Sequence, residues 1–306
     1  MKRLAFGLAL VLALLLGAIG LAGLLYEPDS RIRDGFAGRH VVVEGVSLRV
    51  VQQGSGRDVL MIHGSPGVLE DFDLQAGALQ NEFRVTRYDR PGHGFSADTG
   101  SYSYADNARI AAGLIEQLQL RDTVVVGHSY GGTTALALAA LKSARVSALV
   151  VLDSAVYSRI RPINPLFRYL RLPVFGPGLA RILRSSAEPR LREAFTAEFK
   201  VAGPPPGFVD LRLPVFAEPK VLHATANEHS GSDEELSRLS PNYGKIELPL
   251  YVVAQRDDEA RRATAERLEQ EVPGAEALLV SPSGHYVQIE QAEAVTQVIR
   301  RAAREN

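Results

Sequence analysis

Val124-Val125-Val126-Gly127-His128-Ser129-Tyr130-Gly131-Gly132 runs, after two threonines, into Ala135-Leu136-Ala137-Leu138-Ala139-Ala140-Leu141. The β-branched valines predict a strand and the Ala/Leu run predicts a helix. Between them lies G-x-S-x-G, the pattern of a sharp strand–turn–helix junction with a serine at its apex. Gly127 and Gly131 lack the Cβ atoms that would clash where strand and helix fold close together. Such a turn holds its serine in strained backbone geometry with the hydroxyl exposed. The following helix start aims free N–H groups and its positive dipole end at the same spot, which favours an anionic transition state there. Five residues of this kind are common by themselves. The flanking strand and helix make Ser129 a candidate nucleophile.

A serine hydroxyl becomes a nucleophile when a base removes its proton and a third group orients the base. The C-terminal part of the chain offers both partners. Ser283-Gly284-His285 follows a strand predicted at 277–280, and the carboxylate-rich Gln255-Arg256-Asp257-Asp258-Glu259 follows one at 250–254. Further strands are predicted at 41–43 and 47–51, split by Glu44-Gly45 as in a hairpin, and at 59–62, 84–88, 123–126 and 146–152. Helical periodicity occupies 104–118 and 259–270 and resumes after His285. Strands alternating with helices predict an α/β fold with a mostly parallel sheet covered on both faces. The alternation stops over 155–245, where prolines, including Pro204-Pro205-Pro206, punctuate what reads as short helices. That stretch is too long for a plain loop in a compact domain, so it is expected to form an inserted helical cap. The expected organisation is an apolar leader over 1–26, a linker over 27–38, a core over 39–154 and 246–306, and the cap between them.

Four segments together resemble the α/β-hydrolase fold superfamily over about residues 40–306: His63-Gly64-Ser65-Pro66-Gly67, Asp89-Arg90-Pro91-Gly92-His93-Gly94-Phe95-Ser96, the serine turn at 127–132, and Gly284-His285. The resemblance implies Ser129 as nucleophile and His285 as general base. It places the oxyanion-hole N–H groups on Ser65 and Tyr130, and losing one such donor typically costs about 2.7–4 kcal/mol of transition-state stabilisation. The family's acid often sits in G-x-x-D after the penultimate strand, which aligns with Asp258, although Gln255 stands where that glycine is usual. Asp258 is therefore the expected acid, with Asp257 and then Glu259 as alternatives in the same loop. Asp153, at the end of the strand after the elbow helix, occupies a second acid position known in some relatives.

Relatives that open epoxides or remove halide use aspartate at the elbow, and the chain contains no Trp for the usual halide-binding indole. The resemblance thus implies hydrolysis of a carboxylic ester of a small or lipid-like substrate through an acyl-enzyme. Lactones, amides or aminopeptides, and C–C bonds would use the same machinery. Prolyl aminopeptidases share the 63–67 loop but usually carry a second glycine at the position of Ser65 and Trp at that of Tyr130. A non-catalytic binding protein on the same fold is the reading from a different class.

The 306 residues carry a formal net charge of −1 and no cysteine. That excludes disulfides and thiolate chemistry and gives no electrostatic reason to expect nucleic acid. No cofactor is expected. His223 and His229 lack a suitably spaced third ligand, so no metal is expected either. His63, His93 and His128 are expected to hydrogen-bond loops, and Asp71 and Asp73 to start a helix. Lys2 and Arg3 precede an uncharged run over 4–26, and about 20 apolar residues suffice to span a bilayer core. The basic residues ahead of it predict a membrane anchor with the remaining chain on the extracytoplasmic side. A cleaved signal peptide and secretion is the alternative, although no clean A-x-A site is present. Arg159, Arg161, Arg168, Arg171, Arg181 and Arg184, interleaved with apolar residues, are expected on the water-facing side of the cap. Contact with anionic lipid is the other reading of that face.

Overall fold

Val124 and Val126 of the opening stretch face one side of a sheet and Val125 faces the other, and all three are fully buried. A strand with both faces covered needs apolar residues at every position, which is why this run does not alternate. The computed structural model describes residues 2–25, 36–158, 164–201 and 203–305. Its elements begin with α1 (Lys2–Leu24), β1 (Arg39–Val43), β2 (Val46–Gln53), β3 (Arg57–Ile62), α2 (Asp73–Leu79) and β4 (Phe83–Tyr88). They continue with α3 (Tyr104–Gln117), β5 (Thr123–His128), α4 (Tyr130–Ala139) and β6 (Val146–Leu152). Four helices follow: α5 (Phe167–Leu170), α6 (Phe175–Ala197), α7 (Phe208–Phe216) and α8 (Pro219–Leu239). The chain then returns through β7 (Leu250–Gln255), α9 (Glu259–Glu271), β8 (Ala275–Val280), α10 (Val287–Glu290) and α11 (Ala292–Glu305).

The strands form one eight-stranded sheet in the order β1-β2-β4-β3-β5-β6-β7-β8. β1 and β2 pair as an antiparallel hairpin, β2 meets β4 antiparallel, and every other pair is parallel. One face packs Leu60, Val125, Leu149 and Val252 against α3, α4 and α9. The other packs Met61, Val126, Val150 and Val253 against α2 and α11. Each such side chain contributes roughly 1.5–3 kcal/mol on full burial, and together they fix the sheet as the frame for the strand-end loops. The α/β-hydrolase architecture implied by the four sequence segments is present.

Two features depart from the expected pattern or extend it. The insertion between β6 and β7 is built around two long helices, α6 of 23 residues and α8 of 21, where short ones were expected. Pro177 falls in the first turn of α6 and Pro219 opens α8, positions that need no N–H donor, while Pro189 lies within α6. At the other end, α1 includes Ala5–Ala22 with a mean hydropathy of 2.5, long and apolar enough to cross a membrane. Its last turns meet the insertion: Gly20 lies beside Val174, and Arg181 Nη1 donates to the Ala22 carbonyl at 3.2 Å. Most of the expected linker, and Arg159 and Arg161, lie outside the described residues.

Candidate active site

The β5–α4 junction carries the predicted turn. Ser129 sits at φ 53°, ψ −118°, a backbone region that side chains with a Cβ rarely occupy. Close packing enforces the glycines around it. A Cβ on Gly127 would lie 2.2 Å from the Gly131 carbonyl oxygen, and one on Gly131 would lie 2.1 Å from that of Ile62. A Cβ on Gly132 would collide with Ser154 Oγ at 1.9 Å. The Ser129 N–H donates to the Leu152 carbonyl at 2.9 Å, which ties the turn to the end of β6. Ser129 itself remains only partly buried.

His285 follows β8 and is held from three sides. Its N–H donates to the Glu198 carbonyl at 2.8 Å, and its own carbonyl accepts from His128 Nε2 at 2.9 Å. Its Nδ1 meets Asp153 Oδ2 at 2.6 Å. With Nδ1–H donating to the carboxylate, Nε2 is left as the basic nitrogen, the arrangement a serine base requires. The His128 ring stands 4.6 Å from the His285 ring. Burial, with His285 nearby, pushes His128 down to about 3, so His128 is neutral and serves as a hydrogen-bond donor.

The geometry separates the candidate acids, and the expected one, Asp258, does not meet His285. Asp258 is the N-cap of α9, where its carboxylate accepts from the Arg261 N–H at 2.9 Å. Asp257 accepts from the Ser281 hydroxyl at 2.5 Å. Glu259 opens α9. The carboxylate on His285 belongs to Asp153, just past β6, whose backbone is also at positive φ (43°). Burial would raise the pKa of Asp153. The His285 hydrogen bond, the Arg261 guanidinium at 3.5 Å and a 2.9 Å bond from Gln255 Nε2 outweigh that and hold it at about 2. Gln255, standing where a glycine is usual, is thus a support for Asp153.

The loop after β3 carries Ser65. His63 is fully buried: its Nδ1 donates to the Gly64 carbonyl at 2.8 Å and its Nε2 accepts from the Arg90 N–H at 2.9 Å. Burial, with Arg90 and His93 close by, lowers its pKa well below the usual imidazole value, so a neutral ring anchors the loop. Gly64 packs on the turn, since a Cβ there would lie 3.1 Å from Ser129 Cβ. Tyr130, at the first position of α4, has one of the backbone N–H groups that a helix leaves without an internal partner. Ser65 and Tyr130 therefore lie on the two segments that flank Ser129. Asp71, expected only to start a helix, is buried in the turn Leu69–Phe72 and pairs with Arg212 Nε at 2.8 Å. Asp73 opens α2 and pairs with Arg87.

Helices of the insertion reach the loops past the carboxyl ends of the strands, the edge where parallel α/β sheets bind ligands. Besides Arg212 on Asp71, His229 Nε2 donates to the Ser65 carbonyl at 3.2 Å and Lys200 Nζ to Gln255 Oε1 at 3.2 Å. Glu228 of α8 is wholly buried against Arg90 and His93. His223 donates to the Leu170 carbonyl at 2.6 Å. Among the described residues no group of three or more His, Asp or Glu side chains is arranged to hold a metal ion. Glu228 and Arg261 are site-shaping residues that the sequence reading did not single out, and Arg90 and Gln255 entered it only as part of a motif and as a departure from a glycine.

Comparison with known proteins agrees with this architecture. Residues 59–298 match the profile described as "Alpha/beta hydrolase family". A 2-hydroxymuconate semialdehyde hydrolase of Pseudomonas putida is 28% identical over 289 residues, covering 86% of this chain and 92% of that protein. An esterase structure from Exiguobacterium antarcticum superposes with a TM-score of 0.72 at 23% identity, covering 87% of this chain and 99% of that one. The crystal structure of a membrane phospholipase A covers 100% of both chains, with a TM-score of 0.68 and 23% identity.

Proposed function

The chain belongs to the alpha/beta hydrolase family, and on that premise we propose that it is a serine hydrolase cleaving a carboxylic ester through an acyl-enzyme. Ser129 Oγ attacks the ester carbonyl and its proton passes to His285 Nε2. The negative charge on the tetrahedral oxygen is met by the N–H groups of Ser65 and Tyr130. The intermediate collapses as His285 returns the proton to the departing alcohol, leaving an ester on Ser129. Water then attacks that ester with His285 again as base, releasing the acid and restoring the serine. Asp153 holds the imidazole in the required tautomer and stabilises the imidazolium that forms. The observation that carries the reading is the 2.6 Å bond between Asp153 and His285 beside a serine at positive φ.

The helix α1 is the proposed membrane anchor, with the hydrolase domain on the extracytoplasmic side, and α5–α8 form the proposed cap. A lipid-like ester is the favoured substrate class. The anchor's end touches the cap at Val174 and Arg181, and Tyr169, Leu172, Val174 and Ile182 nearby are exposed. The membrane phospholipase A structure, matched over its whole length, supports the same class. The semialdehyde hydrolase relative keeps C–C bond cleavage as the second reading.

A fluorophosphonate probe tests the activity. The expected result is stoichiometric labelling at Ser129, abolished by Ser129→Ala, with esters turned over faster than vinylogous diketones, lactones or aminoacyl amides. A folded wild-type chain that stays unlabelled overturns the serine hydrolase reading. Labelling with turnover of C–C substrates alone moves the chain to the second reading.

A further inference from the structure

Arg90 is fully buried on the loop after β4, and its guanidinium is shared between the oxyanion loop and the cap. Its Nε donates to the His63 carbonyl at 3.0 Å and its Nη2 to the Gly64 carbonyl at 2.8 Å. On the other side, Nη1 donates to Glu228 Oε1 at 2.5 Å and Nη2 to Oε2 at 3.2 Å, with Asn107 Oδ1 accepting from Nη1 at 3.1 Å. The guanidinium carbon also stands 4.5 Å from the centre of the Tyr130 ring. One cation therefore touches the segments of both proposed oxyanion donors.

The peptide geometry gives this contact a direction. The Gly64–Ser65 bond is trans, since the cis bonds of the described chain are those before Pro66 and Pro282. In a trans peptide the carbonyl and the next N–H point opposite ways. The Gly64 carbonyl is pinned by Arg90 and by His63 Nδ1, so the Ser65 N–H is fixed pointing away from Arg90. That N–H has no acceptor within the protein among the described residues. Tyr130 is steadied in parallel, its ring against Arg90 and stacked on Tyr104 at 4.2 Å, its hydroxyl donating to the Tyr102 carbonyl at 2.5 Å.

A buried guanidinium needs a counter-charge, and removing one member of such a pair leaves the other charge uncompensated. Glu228 supplies it from α8 in the cap, itself wholly buried and bonded also to His93 Nε2 at 3.1 Å. Burial opposes ionisation of Glu228, but Arg90 and His93 hold its carboxyl below the ordinary range. We propose that Arg90 and Glu228 are positioning residues that couple the seating of the cap to the aim of the Ser65 and Tyr130 N–H groups. An enzyme whose cap is lifted loses its oxyanion hole without losing the Ser129, His285 and Asp153 side chains. The proposal rests on the reading of Ser129 as nucleophile.

Glu228→Gln in the full chain tests it, because the substitution keeps the shape while removing the charge and replacing one of the two oxygens that accept from Arg90 by an amide nitrogen that only donates. An interaction made only in the transition state lowers kcat and kcat/KM together. The expected loss in kcat is about ten- to a hundredfold, less than the hundred- to thousandfold of removing a donor outright, with KM changed by less than about twofold. Affinity for a trifluoromethyl ketone, which forms a tetrahedral oxyanion on the serine, should fall in proportion to kcat/KM, and Glu228→Asp should recover part of both. Should Glu228→Gln fail to fold, Arg90→Lys is the second variant: it keeps the charge pair but loses the fork that spans the His63 and Gly64 carbonyls and Glu228, and losses of the same kind are expected. A fluorophosphonate-labelled wild type whose folded variants keep kcat and ketone affinity overturns the coupling alone. Variants that change only KM do the same. An unlabelled wild type overturns the underlying reading together with the coupling.

Discussion

The carboxyl ends of β6 and β7 are neighbours in the sheet, both carry aspartates, and both lie between Ser129 and His285 in chain order. The path of the chain beyond each strand separates them. After β7 the chain enters α9 almost at once, and Asp258 is spent on capping that helix. After β6 the described residues hold no helix before α5, and 153–158 have none, so Asp153 has no helix start to cap and its carboxylate meets His285. The β7 end contributes support instead, through Gln255 and Arg261, which both reach the Asp153 carboxylate. In the proposed site the two strand ends thus divide the work, Asp153 meeting the imidazole and the β7 side holding Asp153.

The largest expected consequence of this division lies in turnover. Asp153→Asn should lower kcat about 10³–10⁴-fold, the scale seen where the orienting carboxylate of a serine triad is replaced by an amide. Asp258→Asn should leave kcat within about twofold, because Asn caps helices as well as Asp. Steady-state kinetics on one ester substrate reads both. Equal losses in the two variants would break the comparison.

A second consequence appears in acid stability. The folded pKa of Asp153 is about 2 against an ordinary 3.8, a depressed value. Its contribution is therefore present above about pH 4 and disappears as the pH falls towards 2. At one pKa unit per 1.36 kcal/mol the effect is about 2 kcal/mol. Urea unfolding at pH 5 and pH 2 should show that loss in the wild type and a smaller one, by about that amount, in Asp153→Asn. The smallest effect belongs to the other loop. Asp258→Ala should cost about 1 kcal/mol of stability through the lost cap, read as a lower urea midpoint, with turnover unchanged.

Much of this was legible in the sequence where local sterics left no choice. Gly127, Gly131 and Gly132 are required because any Cβ meets a neighbour within van der Waals contact, so the turn is written in its own residues. The run Val124–Val126 marks a strand covered on both faces for the same reason: every position of β5 is buried. The acid was not legible, since chain order is satisfied equally by Asp153 and Asp258 and only the path of the chain beyond β6 and β7 distinguishes them. The long helices of the insertion were hidden by prolines that open them, as Pro177 and Pro219 do. The Arg90–Glu228 pair joins residues 138 positions apart, and no local pattern announces a contact of that range.

The central claim, that Ser129 is activated through His285 by Asp153, is tested most directly by the second-order rate of fluorophosphonate labelling at Ser129 in the wild type, Asp153→Asn and Asp258→Asn. The rate should fall at least about a hundredfold in Asp153→Asn, as loss of the correct imidazole tautomer requires, and stay at the wild-type value in Asp258→Asn. A wild-type rate in Asp153→Asn, or a collapse confined to Asp258→Asn, would contradict it.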